Sequence, residues 1–181
     1  MKNLLTNGSF EGPHTSFQSG QAPPNWTDIV GSPDLNRVSA GVGSATDGND
    51  WLWFGAGETI EQTLTTPLTV GTTYSLTIDI DVATTDAGGQ AVASGEFLVL
   101  DQANNIIGSV TVLSAGGYTT QVITVIPVAT VTEIRFQGDH PPVGANFTGV
   151  ALMSVDNANL QIVCFTRGSQ IKTQSGEVAI E

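Results

Sequence analysis

The chain has 181 residues, enough for one β-rich domain or one domain plus a fragment, but too few for two full cores. Seventeen acids against five basic residues give a net charge of −12, which repels nucleic acid phosphates and anionic lipid and so excludes nucleic-acid binding. No apolar run approaches the roughly 18 residues of a spanning helix, and Met1-Lys2-Asn3-Leu4-Leu5 passes straight into polar Thr6-Asn7-Gly8 with no Sec-type signal core visible.

Twenty-one glycines, a dense scatter of Thr, Val and Ile, and 12% charged residues point to an all-β domain rather than to helices. Period-two alternation between Gly, Pro, Asn and Asp clusters predicts strands over Asn3–Asn7, Leu35–Ala40, Trp51–Phe54, Thr59–Leu64, Thr73–Val82, Gly95–Leu100, Ile106–Leu113, Thr119–Ile126, Thr132–Gln137 and Thr148–Ile162. These ten strands are expected to form two facing antiparallel sheets, with no helix longer than a turn. Turns at Val70-Gly71-Thr72, Ala87-Gly88-Gly89, Asn104-Asn105 and Ala115-Gly116-Gly117 supply residues that tolerate positive φ. The stretches Gly12–Pro24 and Gly138–Asn146 are irregular, and their prolines keep them out of any ladder.

Within the strands, Trp51-Leu52-Trp53-Phe54 places both tryptophans on one face and Leu52 with Phe54 on the other. Leu52 and Phe54 are expected inside. The outward pair then has two readings, a flat platform for sugar rings or a partner surface with Trp26 and Tyr118 as companions, or packing under a loop. Asp79 and Asp81 share the face opposite Ile78 and Ile80 and are expected to be solvated, with no environment that would make them a catalytic acid and nucleophile. Neither His14 nor His140 has zinc-ligand spacing, and no Gly-x-Ser-x-Gly elbow occurs. Asn7-Gly8-Ser9, Asn25-Trp26-Thr27 and Asn146-Phe147-Thr148 match the glycosylation pattern, which matters only in a eukaryotic secretory host.

The order of Asn3-Leu4-Leu5-Thr6-Asn7-Gly8-Ser9-Phe10-Glu11, Trp26-Thr27, Ile60-Glu61-Gln62-Thr63-Leu64, Gly71-Thr72-Thr73-Tyr74-Ser75-Leu76 and Val155-Asp156-Asn157-Ala158-Asn159-Leu160 resembles the carbohydrate-binding-module type of jelly roll, a galactose-binding-like β-sandwich. The resemblance spans about residues 3–162 and implies a carbohydrate-binding, non-catalytic module. It also implies a structural calcium ion held by Glu11 and Asp156, with Asp47 and Asp50 as weaker candidates; calcium takes hard carboxylate and carbonyl oxygens.

After residue 163 the composition changes. Residues 1–163 carry fifteen acids against Lys2, Arg37 and Arg135, whereas 164–181 carry two acids and two bases. The segment Val163-Cys164-Phe165-Thr166-Arg167-Gly168-Ser169-Gln170-Ile171-Lys172-Thr173, followed by Gly176-Glu177, resembles the start of a Hint (Hedgehog/intein) autoprocessing domain. That resemblance divides the chain into 1–163 and 164–181 and implies that Cys164, the only cysteine, is the nucleophile against the Val163–Cys164 amide in a full-length Hint parent. The downstream Thr-x-x-His motif of that family does not occur within the chain, so a thiol of ordinary pKa is expected not to cleave it.

The expectation is therefore a calcium-stabilised sandwich from a secreted or cell-surface bacterial protein, taking a carbohydrate or another protein surface as partner and no membrane. The alternative is a structural or adhesive subunit of an extracellular or virion assembly, in which sheet edges meet copies of the same chain.

Overall fold

The computed structural model describes residues 2–13, 21–31, 34–37, 45–84, 92–114, 116–139, 153–163, 170–173 and 176–179. Its strands are β1 (Thr27–Val30), β2 (Asp34–Arg37), β3 (Asp50–Phe54), β4 (Thr59–Leu68), β5 (Tyr74–Val82), β6 (Ser94–Asp101), β7 (Ile106–Leu113), β8 (Thr119–Val125), β9 (Val131–Asp139), β10 (Met153–Ile162), β11 (Gln170–Thr173) and β12 (Gly176–Ala179). The first ten form two five-stranded sheets. Sheet A has the order β2-β3-β10-β5-β8, and sheet B the order β1-β4-β9-β6-β7. Every pairing is antiparallel, so the expected all-β jelly-roll sandwich is what forms. Among the described residues there is no helix. The separate hairpin β11–β12 closes with Thr173 opposite Gly176.

Alternation puts Leu76, Ile78 and Ile80 of β5, Phe97 and Val99 of β6, and Ile134 and Phe136 of β9 into one buried core between the sheets. A run of rings crosses it: Phe10 to Trp26 (5.5 Å), Trp26 to Phe136 (5.1 Å), Phe136 to Phe97 (5.3 Å) and Phe97 to Phe54 (6.5 Å). These tilted and edge-on contacts join the N-terminal segment to both sheets.

Two predicted elements differ. Asn3–Asn7 is no strand; Leu4 N donates to Leu160 O at 2.8 Å and Ala158 N to Gly8 O at 2.7 Å, so the segment is stitched to β10 at isolated points. Gly8 lies so close to Ala158 that a Cβ would run into its carbonyl oxygen. The strand β1 lacked an alternating signal because it is an edge with mostly exposed side chains. Gly138 and Asp139, expected in a loop, complete β9; there a Cβ on Gly138 would meet Phe54.

Gln62 is the buried exception on the inward face of β4. Its Nε2 donates to Thr6 O (2.6 Å) and Asn25 O (3.2 Å), and its Oε1 accepts from Thr6 N (2.8 Å), pinning two irregular segments to sheet B. Gln62→Leu would leave those backbone groups without partners, and urea unfolding is expected to show a loss of about 2–3 kcal/mol; an unchanged midpoint would mean that water satisfies them.

Candidate functional site

The outer face of sheet A bears most of the residues expected to bind a ligand. Leu52 and Phe54 enter the core as expected, which turns Trp51 and Trp53 outward. Trp51 is nevertheless only 1% exposed, and Trp53 is half-buried. Trp26 belongs to the core, 6% exposed, with its Nε1 donating to Asn7 O at 3.0 Å. The expected platform of Trp51, Trp53, Trp26 and Tyr118 is thus reduced to half-buried Trp53 and Tyr118, because burial removes the other two from solvent.

Register sets Trp53 opposite Ser154, Ser154 opposite Asp81, and Asp156 opposite Asp79. Asp79, expected to be solvated, is buried: its Oδ1 accepts from Thr120 Oγ1 at 2.6 Å and its Oδ2 from Asn157 Nδ2 at 3.2 Å. Burial pushes its pKa up, but the hydrogen bonds from Thr120, Thr46 and Asn157 outweigh burial and hold it below the usual value. Asp81 is half-buried, and its Oδ1 has no hydrogen-bond partner among the described residues. The buried Tyr118 hydroxyl lies beside Ser154 at a geometry short of a full hydrogen bond, and burial, with the Asp156 charge next, raises its pKa.

The two carboxylates expected to hold calcium do converge on one segment. Glu11 Oε1 accepts from Asn49 N (2.7 Å) and Asp50 N (2.9 Å), while Asp50 Oδ2 accepts from Gly12 N (2.7 Å). Gly48 is at φ 76° with its α-carbon against the Glu11 carboxylate, where a Cβ has no room. Asp156 Oδ2 accepts from Thr46 N (2.6 Å), Thr46 Oγ1 (3.1 Å) and Asp47 N (2.9 Å), and its Oδ1 from Asn157 N (2.7 Å). Residues 46–50 are therefore latched to the start of the chain and to β10.

Glu11, Asp50 and Asp156 are hard oxygen donors of the kind calcium takes, but their Oε1 and Oδ2 atoms already accept backbone N–H groups here. Asp156 is fully buried, and burial pushes its pKa up to about 6 despite the hydrogen bonds it accepts from Asp47, Thr46 and Asn157; a cation would relieve that cost. The described residues gather no group of three or more acidic, histidine or cysteine side chains suited to a metal, so backbone carbonyls and water would have to complete the shell.

Sheet B has a polar outer face that sequence reasoning passed over. Arg135 Nε bonds Glu61 Oε2 at 2.7 Å, and Arg135 Nη1 donates to Asn104 Oδ1 at 2.6 Å. Those residues are 74 and 31 positions away, and no local motif joins them. Cys164, His14 and His140 lie outside the described residues.

No family model and no curated protein matches the chain. Solved structures do. An arabinose-bound α-L-arabinofuranosidase, MgGH51, superposes with a TM-score of 0.59 at 15% identity, over 98% of this chain and 28% of that enzyme. The carbohydrate-binding module TmCBM61, solved with β-1,4-galactotriose, gives 0.49 at 15% identity, over 90% of this chain and all (100%) of that module. The CBM22-2 xylan-binding domain of Paenibacillus barcinonensis Xyn10C gives 0.47 at 16% identity, over 77% and 92%. The likeness to the arabinofuranosidase, at 15% identity, bears on the fold alone.

The raised pKa of Asp156 fixes the sign of a pH effect. Its unfolded value is near 3.8 and its folded value about 6, so the folded state binds the proton more tightly, and this group adds stability as pH falls from 7 toward 4. Asp79, held below its usual value, acts oppositely and only as pH falls through 3.8 and below. Thermal melts in chelator are expected to show a higher Tm at pH 5 than at pH 7. With calcium at pH 7 the Tm rises and the difference flattens, and Asp156→Asn removes both responses. A calcium-indifferent melt would take the ion out of the latch.

Proposed function

We propose that the chain is a non-catalytic carbohydrate-binding β-sandwich module. The observation that carries this reading is the architecture: two sheets that share one core and turn outer faces bearing polar side chains to the outside, on which a polymer chain can lie. The likeness in fold to part of the arabinose-bound arabinofuranosidase chain supports it by analogy. In this reading Glu11 and Asp156 hold calcium as a structural ion that stabilises the folded state by mass action. Burial leaves the expected tryptophan face too little exposed ring surface to serve as a ligand platform, and the module works outside the cell or at its surface.

Residues 164–181 are read as resembling the start of a Hint domain, with Cys164 in the position of its nucleophile. Incubation near pH 8 with added thiol is expected to leave the intact mass unchanged; a fragment ending at Val163 would show that the segment cleaves without the downstream motif.

One observation favours a structural or adhesive subunit as a second reading. The edge strands β7 and β8 lie side by side, with Ile126 N donating to Ile107 O at 3.0 Å, and they and the turn after them expose Ile106, Leu113, Val122, Ile126 and Val128. Affinity electrophoresis against a panel of soluble polysaccharides, with sedimentation at rising protein concentration, separates the two. Retardation of a monomer supports the binding module; concentration-dependent assembly with no retardation supports the subunit.

A further inference from the structure

The Arg135 assembly on sheet B is unexplained by the core, the latch or the tryptophan face. Register builds one row across five strands: Thr27 opposite Glu61, Glu61 opposite Arg135, Arg135 opposite Leu100, and Leu100 opposite Ile106. Gln137 and Leu98 are partners in the next row. Leu98 and Leu100 alternate with core residues Phe97 and Val99, so they face outward, yet they are only 8% and 4% exposed. The Arg135 and Glu61 side chains are 14% and 15% exposed. The outward side chains of this row are thus largely shielded, two leucines beside a fixed ion pair.

The fixing is what separates it from an ordinary surface pair, which costs side-chain entropy to hold and contributes little. Glu61 and Asn104 grip the guanidinium from two sides and use two of its five N–H groups. The rest of that rigid fork and the second Glu61 oxygen offer donors and an acceptor side by side, and a pre-ordered site loses less freedom on binding. Adjacent hydroxyl groups of a sugar ring match this set. Charge narrows the class further. Glu61 already neutralises the one described basic residue of the face, and Glu96 and Glu133 add negative charge, so a uronate or sulfated chain would be repelled. Stacking has little to offer, because no aromatic side chain among the described residues is exposed.

We infer that Arg135, Glu61 and Asn104 on the outer face of sheet B form the ligand site, and that it takes a neutral polysaccharide chain by hydrogen bonding rather than by tryptophan stacking. This rests on the carbohydrate-binding reading above.

Calorimetric titration of the full chain with xylohexaose, cellotetraose and β-1,4-galactotriose, with tetragalacturonate as the acidic probe, tests it together with amide NMR shift mapping. A neutral probe is expected to bind and tetragalacturonate not to, with shifts on β4, β9 and β6. Arg135→Met should weaken the neutral probe about tenfold or more, a charge-assisted hydrogen bond's worth, while Trp53→Ala leaves it unchanged. Asn104→Gly keeps the positive-φ turn (φ 64°) and removes only the anchor, so a several-fold loss is expected even if Arg135→Met folds poorly. A neutral probe that binds Arg135→Met normally, or that shifts β3 and β10 instead, overturns this site and leaves the binding module standing. Binding of none of the probes overturns the reading beneath it as well.

Discussion

A sandwich with a single cysteine has no internal disulfide to hold its sheets together, so the interior between them must do so. Here the ring run from Phe10 through Trp26, Phe136 and Phe97 to Phe54 is the contact on which the remainder depends. It begins in the irregular N-terminal segment, passes through β9 and β6 of sheet B, and ends on β3 of sheet A. Because Trp26 is committed to that run, the turn carrying it is fixed against Gln62 and Asn7. Because Phe54 ends it, β3 has only one orientation, and its two other aromatic residues must turn outward.

That orientation shapes both outer faces. On sheet A the outward positions of β3, β10 and β5 bring Trp53, Ser154, Asp156, Asp79 and Asp81 together, and residues 46 and 47 hydrogen-bond to Asp156 among them. Carboxylates there accept backbone N–H groups, an arrangement that orders a loop at the cost of access. On sheet B the outward positions instead pair one cation with one anion over leucines, and no described loop hydrogen bond spans them except the Asn104 turn. The sandwich thus has one face committed to holding its own chain and one whose polar groups are set but not used up.

Sequence periodicity carried the strands that bury alternate residues. Ile78 and Ile80, or Phe97 and Val99, announce a sheet with one inner face, and β3 to β10 follow. It failed where burial comes from elsewhere in the chain. Nothing local to Trp51 or Trp26 says that each is covered, and nothing near Asp79 says that Thr120, Asn157 and Thr46 surround it. Leu4-Leu5 read as strand because two adjacent leucines satisfy either pattern, whereas the segment is held by hydrogen bonds from Leu4 to Leu160 and from Ala158 to Gly8. Glu11 and Asp156 were singled out only by the family resemblance; that both accept amide N–H groups of 46–50 needed the fold.

The same reasoning explains why Arg135 went unnoticed. A lone arginine in an alternating strand reads as a solvated side chain, and Glu61, 74 positions away, reads as another. Only the β4–β9 register sets them opposite one another, and only the β6–β7 hairpin brings Asn104 to the far side. In a chain of net charge −12, an arginine held by one carboxylate and one amide, with further acids beside it, has little power to gather polyanions. What it retains is geometry, a planar fork fixed by its neighbours, and in the proposed reading that geometry would discriminate among neutral ligands by where their hydroxyl groups lie.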